Sequence, residues 1–274
     1  MRSIILPISD THCGLRCALM PTKVSDKDSV YYQTEAQKWL WQRWLQARRI
    51  IFKELEQADE LVIFLMGDAI HGAGKGEEVF TTRLKTQKDT FIDCLLPYTN
   101  RATSVYAIKG SPWHVSPDGD GFIEDEIASE LGCFGLQAYD KLEISVQNIK
   151  FMLQHKGPSL GTRRHTRGNI MRATMRDAHY MALENGREAA DIYLWAHFHE
   201  FHPEVIIVKT PEGHKEIRGY ITPSFTLANE YALARVKNLE LSDIGIIWFE
   251  ITDGEWKLRK KLWTFDNITR VIHN

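Results

Sequence analysis

Apolar residues recur along this chain in two periods. Runs with little polar interruption, at 4–9, 61–66, 104–108, 142–146, 150–154, 191–196, 205–208, 217–221 and 244–251, predict β-strands. Between the early runs the period becomes helical. Within 33–58, Leu40, Trp44, Ala47, Ile51 and Leu55 fall on one stripe. Shorter helical patterns cover 81–96, 123–131 and 167–185, the last closed by Gly186. The first half alternates strand and helix, and the second half is mostly strand. That order predicts an α/β protein whose helix-covered sheet is extended by, or packed on, a second sheet. The glycine-rich stretches at 71–76 and 116–121 read as loops, and no repeat or linker divides the chain. Residues 1–274 are therefore expected to form one domain.

Composition changes this picture little. Hydrophobic residues make up 43% and charged residues 26%, enough apolar material for a sizeable core. The formal charge of −2 gives no general attraction to nucleic acid, so any polyanion site must come from local clustering. Cys13, Cys17, Cys94 and Cys133 match neither a zinc ribbon nor a disulfide scaffold, and read as free thiols in a reducing compartment. The first apolar run is too short for a signal sequence and ends in Asp10. No stretch approaches the ~18 apolar residues of a membrane helix. A cytoplasmic protein with no membrane partner is expected.

The candidate chemistry lies where the strands end. The run from Ile4 leads to Asp10 and His12, and the run from Leu61 to Gly67-Asp68. The run at 104–108 leads to Gly110-Ser111-Pro112-Trp113-His114, the run at 150–154 to His155, and the run at 191–196 to His197 and His199. In an extended chain alternate side chains share a face, so Asp10/His12 and His197/His199 are each expected to aim two ligand atoms at one spot. Sites in open α/β sheets lie beyond the carboxyl ends of strands, so one crevice could receive all five segments. Carboxylates mixed with imidazoles suit Mn, Fe, Zn, Co or Ni better than Mg or Ca.

Taken in order, Asp10-Thr11-His12, Gly67-Asp68, the Gly110 turn with His114, His155 and Ala196-His197-Phe198-His199 resemble the signature of the calcineurin-like metallophosphoesterases. The resemblance spans residues 10 to 199. It implies a four-layer αββα sandwich, two mixed sheets flanked by helices. It also implies two divalent ions, manganese first and zinc, iron, cobalt or nickel as alternatives. Asp10, His12 and His199 would hold one ion, His155 and His197 the other, and Asp68 would bridge them. A bridging hydroxide would then attack phosphorus in line, with His114 and Asp68 as the catalytic side chains. Two departures stand out. Alanine replaces glycine at 196. At the third motif Ser111 takes the place of a ligating Asn, with Pro112-Trp113 ahead of His114. Ser111 would supply a weaker oxygen ligand, while His114 would protonate the leaving group or bind a phosphoryl oxygen, unless it only caps the turn. A smaller, often phage-encoded subgroup carries a similar Gly-[Ser/Thr]-x-x-His turn.

Substrate contacts are expected outside the ligand set. Arg163, Arg164, Arg167, Arg172 and Arg176 follow His155 with no acidic residue among them, and could bind phosphates or simply be solvated. Trp113 is either a core anchor or a platform for stacking a base. Lys75 and His71 could reach a phosphate, and Cys13 reads as packing. The resulting expectation is a metal-dependent phosphodiesterase or nuclease, with a phosphoester, including single-stranded nucleic acid, as partner. A phosphomonoesterase acting on a small metabolite and a catalytically weakened metal-binding scaffold are the alternatives.

Overall fold

The computed structural model describes residues 1–27, 29–73, 79–115, 122–161, 163–210, 213–227 and 243–264. Strand β1 (Arg2–Ile8) divides its apolar residues between two faces, Ile4, Leu6 and Ile8 on one and Ile5 on the other. After the short paired strands β2 (Lys23–Asp26) and β3 (Ser29–Tyr32), β4 (Glu60–Leu65) repeats the division. Leu61, Ile63 and Leu65 face one way, Val62 and Phe64 the other. Strands apolar on both faces require cover on both.

Helices provide the first cover. α1 (Glu35–Leu55) opens with a capping box in which Thr34 and Gln37 satisfy each other's backbone N–H, and its Leu40, Trp44, Ala47 and Ile51 stripe is buried against the sheet. α2 (Leu84–Thr99) adds Phe91, Cys94, Leu95 and Tyr98. After the one-turn α3 (Pro112–Val115), α4 (Phe122–Glu130) adds Ile127 and Ala128.

The second cover is another sheet. In the first sheet β1, β4, β5 (Ser104–Ile108) and the two-residue β6 (Ala138–Tyr139) run parallel. The other sheet holds β7 (Leu142–Val146), β8 (Ile149–Lys156), β9 (Ile192–Ala196), β10 (His202–Thr210) and β11 (Gly213–Ile221), in the order β10-β11-β9-β8-β7. Strands β12 (Ile244–Thr252) and β13 (Glu255–Trp263) return to the first sheet, where β12 pairs antiparallel with β1. Both sheets mix parallel and antiparallel pairs. Between them lies a core of Ile5, Phe64, Met66, Phe151, Leu153, Leu194 and Phe249. On the far side of the second sheet, Met171 and Met175 of α5 (Asn169–Glu184) pack on Tyr193, Trp195 and Ile217. The architecture is a four-layer αββα sandwich.

The sequence pattern concealed β13. Charges at Glu255, Lys257, Arg259, Lys260 and Lys261 mask an alternation in which Trp256, Leu258 and Leu262 pack against the inter-sheet core. Among the described residues no helix is long and apolar enough to cross a membrane.

Candidate metal centre

The carboxyl ends of β1, β4, β5 and β9 and the last turns of β8 meet at one edge of the sandwich. β1 stops at Ile8, and Asp10 and His12 lie beyond it with φ of 50° and 40°. His197 and His199 lie beyond β9 with φ of 76° and 55°, and Asp68 has φ of 52°. Residues with a Cβ rarely occupy this left-handed region. Strand alternation therefore does not aim these pairs, contrary to the expectation from spacing. The backbone reverses its hand at each ligand, and hydrogen bonds hold the reversals in place. Asp10 N donates to Gly67 O (3.1 Å), His12 N to Asp68 O (3.0 Å), Thr226 Oγ1 to Asp10 O (2.7 Å) and His197 N to Asp10 Oδ2 (3.1 Å). Strain of this kind persists only where surrounding contacts over-determine it.

His155 stays within β8, where the register with β9 shifts between Leu153 and Lys156. A bulge can re-aim a side chain in this way. The 2.7 Å bond between His155 Nδ1 and Met66 O leaves Nε2 to face Asp68 Oδ2 at 3.0 Å. Two glycines allow the loops to approach. A Cβ on Gly67 (φ 91°) would lie 2.6 Å from Gly110 Cα and 2.8 Å from His155 Nδ1, and a Cβ on Gly110 would collide with Asp68.

The result is two sets of ligand atoms. Asp10, His12 and His199 form one; Asp68, His155 and His197 form the other, and within each set the atoms lie within 4.8 Å of one another. Asp68 Oδ2 is also 3.9 Å from His12 Nε2, so it faces both sets. Ser111 stands in the second. Its Oγ is 3.1 Å from His197 Nδ1, 3.4 Å from His155 Nε2 and 3.2 Å from Asp68 Oδ2, while its N–H donates to Asp68 Oδ1 at 2.6 Å.

The electrostatics favour a cation. Burial pushes the Asp10 carboxyl up, but the facing His199 and His155 imidazoles pull it down to about 2. Burial also opposes ionisation of Asp68, and hydrogen bonds with His155 and His197 outweigh it, leaving that pKa well below the carboxylate range. Burial lowers His155, yet its bond to Asp68 and that residue's charge raise it to about 10. Burial, with His199 and His114 nearby, keeps His12 well below the ordinary histidine value despite the pull of Asp68. Asp10 Oδ1 is buried without a directed hydrogen bond among the described residues, and His12 Nε2 faces His199 Nε2 at 3.1 Å. Carboxylate and imidazole atoms converging on one another at these distances fit a pair of divalent ions.

The remaining predicted residues fare differently. The His114 ring packs edge-on to His12 with centroids 4.6 Å apart, and its Nδ1 is 3.0 Å from His71 O. Trp113 lies in α3, but its side chain, like that of Arg164, is outside the described residues, as is Lys75. Arg163 is exposed on the loop after β8. Arg167 forms an ion pair with Glu200, and Arg172 one with Glu204. The arginine stretch contains no acid in sequence, but the fold supplies acids from the segment after His199. Cys13 is a buried free thiol.

Sequence reasoning missed Glu124. Its buried carboxylate accepts the N–H of Gly110 and of Ala69, bracing both loops beneath Asp68. Burial, then the charge of Asp68, raises it to about 7. Its signal was an acid on the same helix face as Ile127 and Ala128, one turn ahead of them.

No protein-family model matches the chain, and no curated protein does. Among solved structures, a zinc-complexed Vps29 from Entamoeba histolytica is similar at 15% identity and a TM-score of 0.39, over 94% of this chain and 98% of that one. Vps29 from Cryptosporidium parvum matches at 10% identity and 0.40, over 96% and 99%. A metallophosphoesterase from Sphaerobacter thermophilus matches at 11% identity and 0.38, over 95% and 88%. At these scores the likeness says nothing of what this chain binds or does.

Proposed function

We propose that this protein is a two-metal phosphoester hydrolase whose substrates are phosphodiesters, single-stranded nucleic acid among them. One observation carries the reading. A single oxygen, Asp68 Oδ2, lies 3.0 Å from His155 Nε2 and 3.9 Å from both His12 Nε2 and His197 Nδ1, so one carboxylate serves two ligand sets. Asp10, His12 and His199 would hold the first ion; His155, His197 and Ser111 Oγ would hold the second. When bound, such a pair activates water near neutral pH and neutralises charge on the phosphoryl group. The chain supplies the proton. With His114 Nδ1 engaged by the His71 carbonyl, Nε2 is the nitrogen left to protonate a leaving oxygen. Manganese, zinc, iron, cobalt and nickel suit the donor set.

The diester preference is supported by His114 beside the ligand sets and by Arg163 exposed after β8. The ion pairs of Arg167 and Arg172 leave less charge for a polyanion, which favours a short strand and keeps a small phosphomonoester as the second reading. The test is a panel of mono-, di- and oligonucleotide phosphates, together with bis(p-nitrophenyl) phosphate, offered to metal-stripped protein with Mn²⁺, Zn²⁺ or Mg²⁺. Metal-dependent diester hydrolysis that vanishes in Asp68→Asn is the expected result. Turnover of monoesters alone selects the second reading, and no turnover with any ion overturns both.

A further inference from the structure

A third group of imidazoles adjoins the first ligand set. His71, on the loop after β4, and His114, in α3, place ring nitrogens within 4.8 Å of each other and of a nitrogen of His12. The ring centroids are 4.6 Å apart for His12 and His114, 4.9 Å for His71 and His114, and 5.7 Å for His12 and His71. Three imidazoles on one tetrahedral ion have centroids roughly 5 Å apart, since each nitrogen is about 2.0–2.1 Å from the ion. The histidine pairs of the two main sets have the same spacing, 5.0 Å for His12 and His199 and 5.3 Å for His155 and His197.

Two of the three imidazoles have a nitrogen facing the group. His12 directs Nε2 toward Asp10, Asp68 and His199, whereas its buried Nδ1 has no hydrogen-bond partner among the described residues. His114 is engaged through Nδ1, which leaves Nε2. The loop carrying His71 is held firmly. Gln87 of α2 accepts the Gly72 N–H and donates to Gly72 O, both at 2.9 Å, and a Cβ on Gly72 would lie 2.9 Å from His114 O.

We propose that His12, His71 and His114 form a third divalent-ion site, selective for zinc-like ions and weaker than the two carboxylate-bearing sets. Imidazole ligands alone suit Zn, Cu, Fe and Ni rather than Mg, Ca or Mn. Without a carboxylate the site lacks the direct charge attraction of its neighbours. An ion at His12 Nδ1 also displaces that nitrogen's proton to solvent, which lowers the affinity further. Occupation takes the lone pair of His114 Nε2, the atom that carries the proton in the proposed hydrolysis. Excess zinc is therefore an inhibitor; this consequence rests on the phosphoesterase reading, while the site itself does not.

Zinc titration of the metal-stripped full chain, with bound ion counted by elemental analysis after dialysis, tests the site. Wild-type protein is expected to take up a third equivalent at about ten-fold or more the free zinc that fills the first two. His71→Phe and His71→Gln should each stop at two. Zinc inhibition of Mn²⁺-supported diester hydrolysis should require about ten-fold more zinc in both variants. A wild type that saturates at two, a third equivalent retained in either variant, or variants that lose the first two equivalents as well overturn the site. A third equivalent lost with His71, in a protein that hydrolyses nothing, removes the phosphoesterase reading and leaves the ion site standing.

Discussion

The Nδ1 atom of His114 lies 3.0 Å from the backbone carbonyl oxygen of His71, a group that can only accept a hydrogen bond. This bond places the ring proton on Nδ1 in the neutral imidazole, so Nε2 donates only when the ring is charged. His114→Ala should then lower kcat by roughly 10²–10⁴ on diesters with poor leaving groups. Nitrophenolate leaves without a proton, so the loss on bis(p-nitrophenyl) phosphate should be smaller. Equal losses on both, with an ion of the two carboxylate-bearing sets also gone, would make His114 a ligand of those sets instead of the proton donor.

Asp68→Asn removes a carboxylate that faces both ligand sets. We expect bound metal to fall below one ion per chain and activity to fall to background. Elemental analysis on dialysed protein measures the first and diester turnover the second. A variant that retains both ions disproves the bridging role.

Gly110→Ala puts a methyl group against Asp68 and close to Glu124. Overpacking at such a site costs about 1–3 kcal/mol. A lower thermal midpoint together with lost metal is the expected outcome. Wild-type melting and metal content would show that the loops yield more readily than their hydrogen bonds suggest.

Stability of the metal-free protein should depend on pH in a definite direction. His155 is raised from 6.5 to about 10 in the fold, so its contribution is complete below 6.5 and is lost as pH rises toward 10. Glu124 is raised from 4.5 to about 7, so its ionisation opposes folding increasingly across that interval. Asp10 is lowered from 3.8 to about 2, and its contribution is complete above 3.8 and disappears as pH falls through 2. His12, held well below 6.5, adds stability as pH rises to 6.5 and offsets Glu124 across that interval. The thermal midpoint of stripped protein should therefore decline from about pH 6.5 toward pH 10. Added zinc should reverse the decline, because an ion replaces the proton on His155. A melting profile that stays flat from pH 6.5 to 10 would contradict this assignment.

The surroundings of two arginines separate their expected roles. Arg163 is exposed, whereas Arg167 is committed to Glu200. Arg163→Ala should weaken binding of a single-stranded oligonucleotide and reduce its salt slope by about one unit. Arg167→Ala should instead lower thermal stability, with a smaller change in slope. Trp113→Ala should raise KM for the oligonucleotide about ten-fold if a base stacks there, a contact worth about 1–3 kcal/mol. A small diester should be unaffected by either arginine change.

Periodicity made the helix-covered first sheet legible but left open whether the later strands extend it or pack on it; the four layers came from the family resemblance. Leu40, Trp44, Ala47 and Ile51 announce a buried helix face, and the apolar runs at 4–9, 61–66 and 191–196 announce buried strands. The candidate ligands were legible as Asp and His at strand ends, but their local geometry was not. Left-handed φ at Asp10, His12, Asp68, His197 and His199 depends on bonds to Gly67, Thr226 and one another, which no local pattern encodes. The pairing of Arg167 with Glu200 is likewise a product of tertiary approach. Glu124 was hidden because an acid in a helix ordinarily faces water.

The first ligand set joins His12 to His199 across 187 residues, and the bond from Thr226 fixes Asp10 from still further along. Asp68 and Ser111 come from one sheet, His155 and His197 from the other. A chain that stops short of residue 197 thus completes neither carboxylate-bearing set. Capture of the two ions of those sets therefore reports completion of the sandwich, and a fragment ending in α5 should take up neither of them.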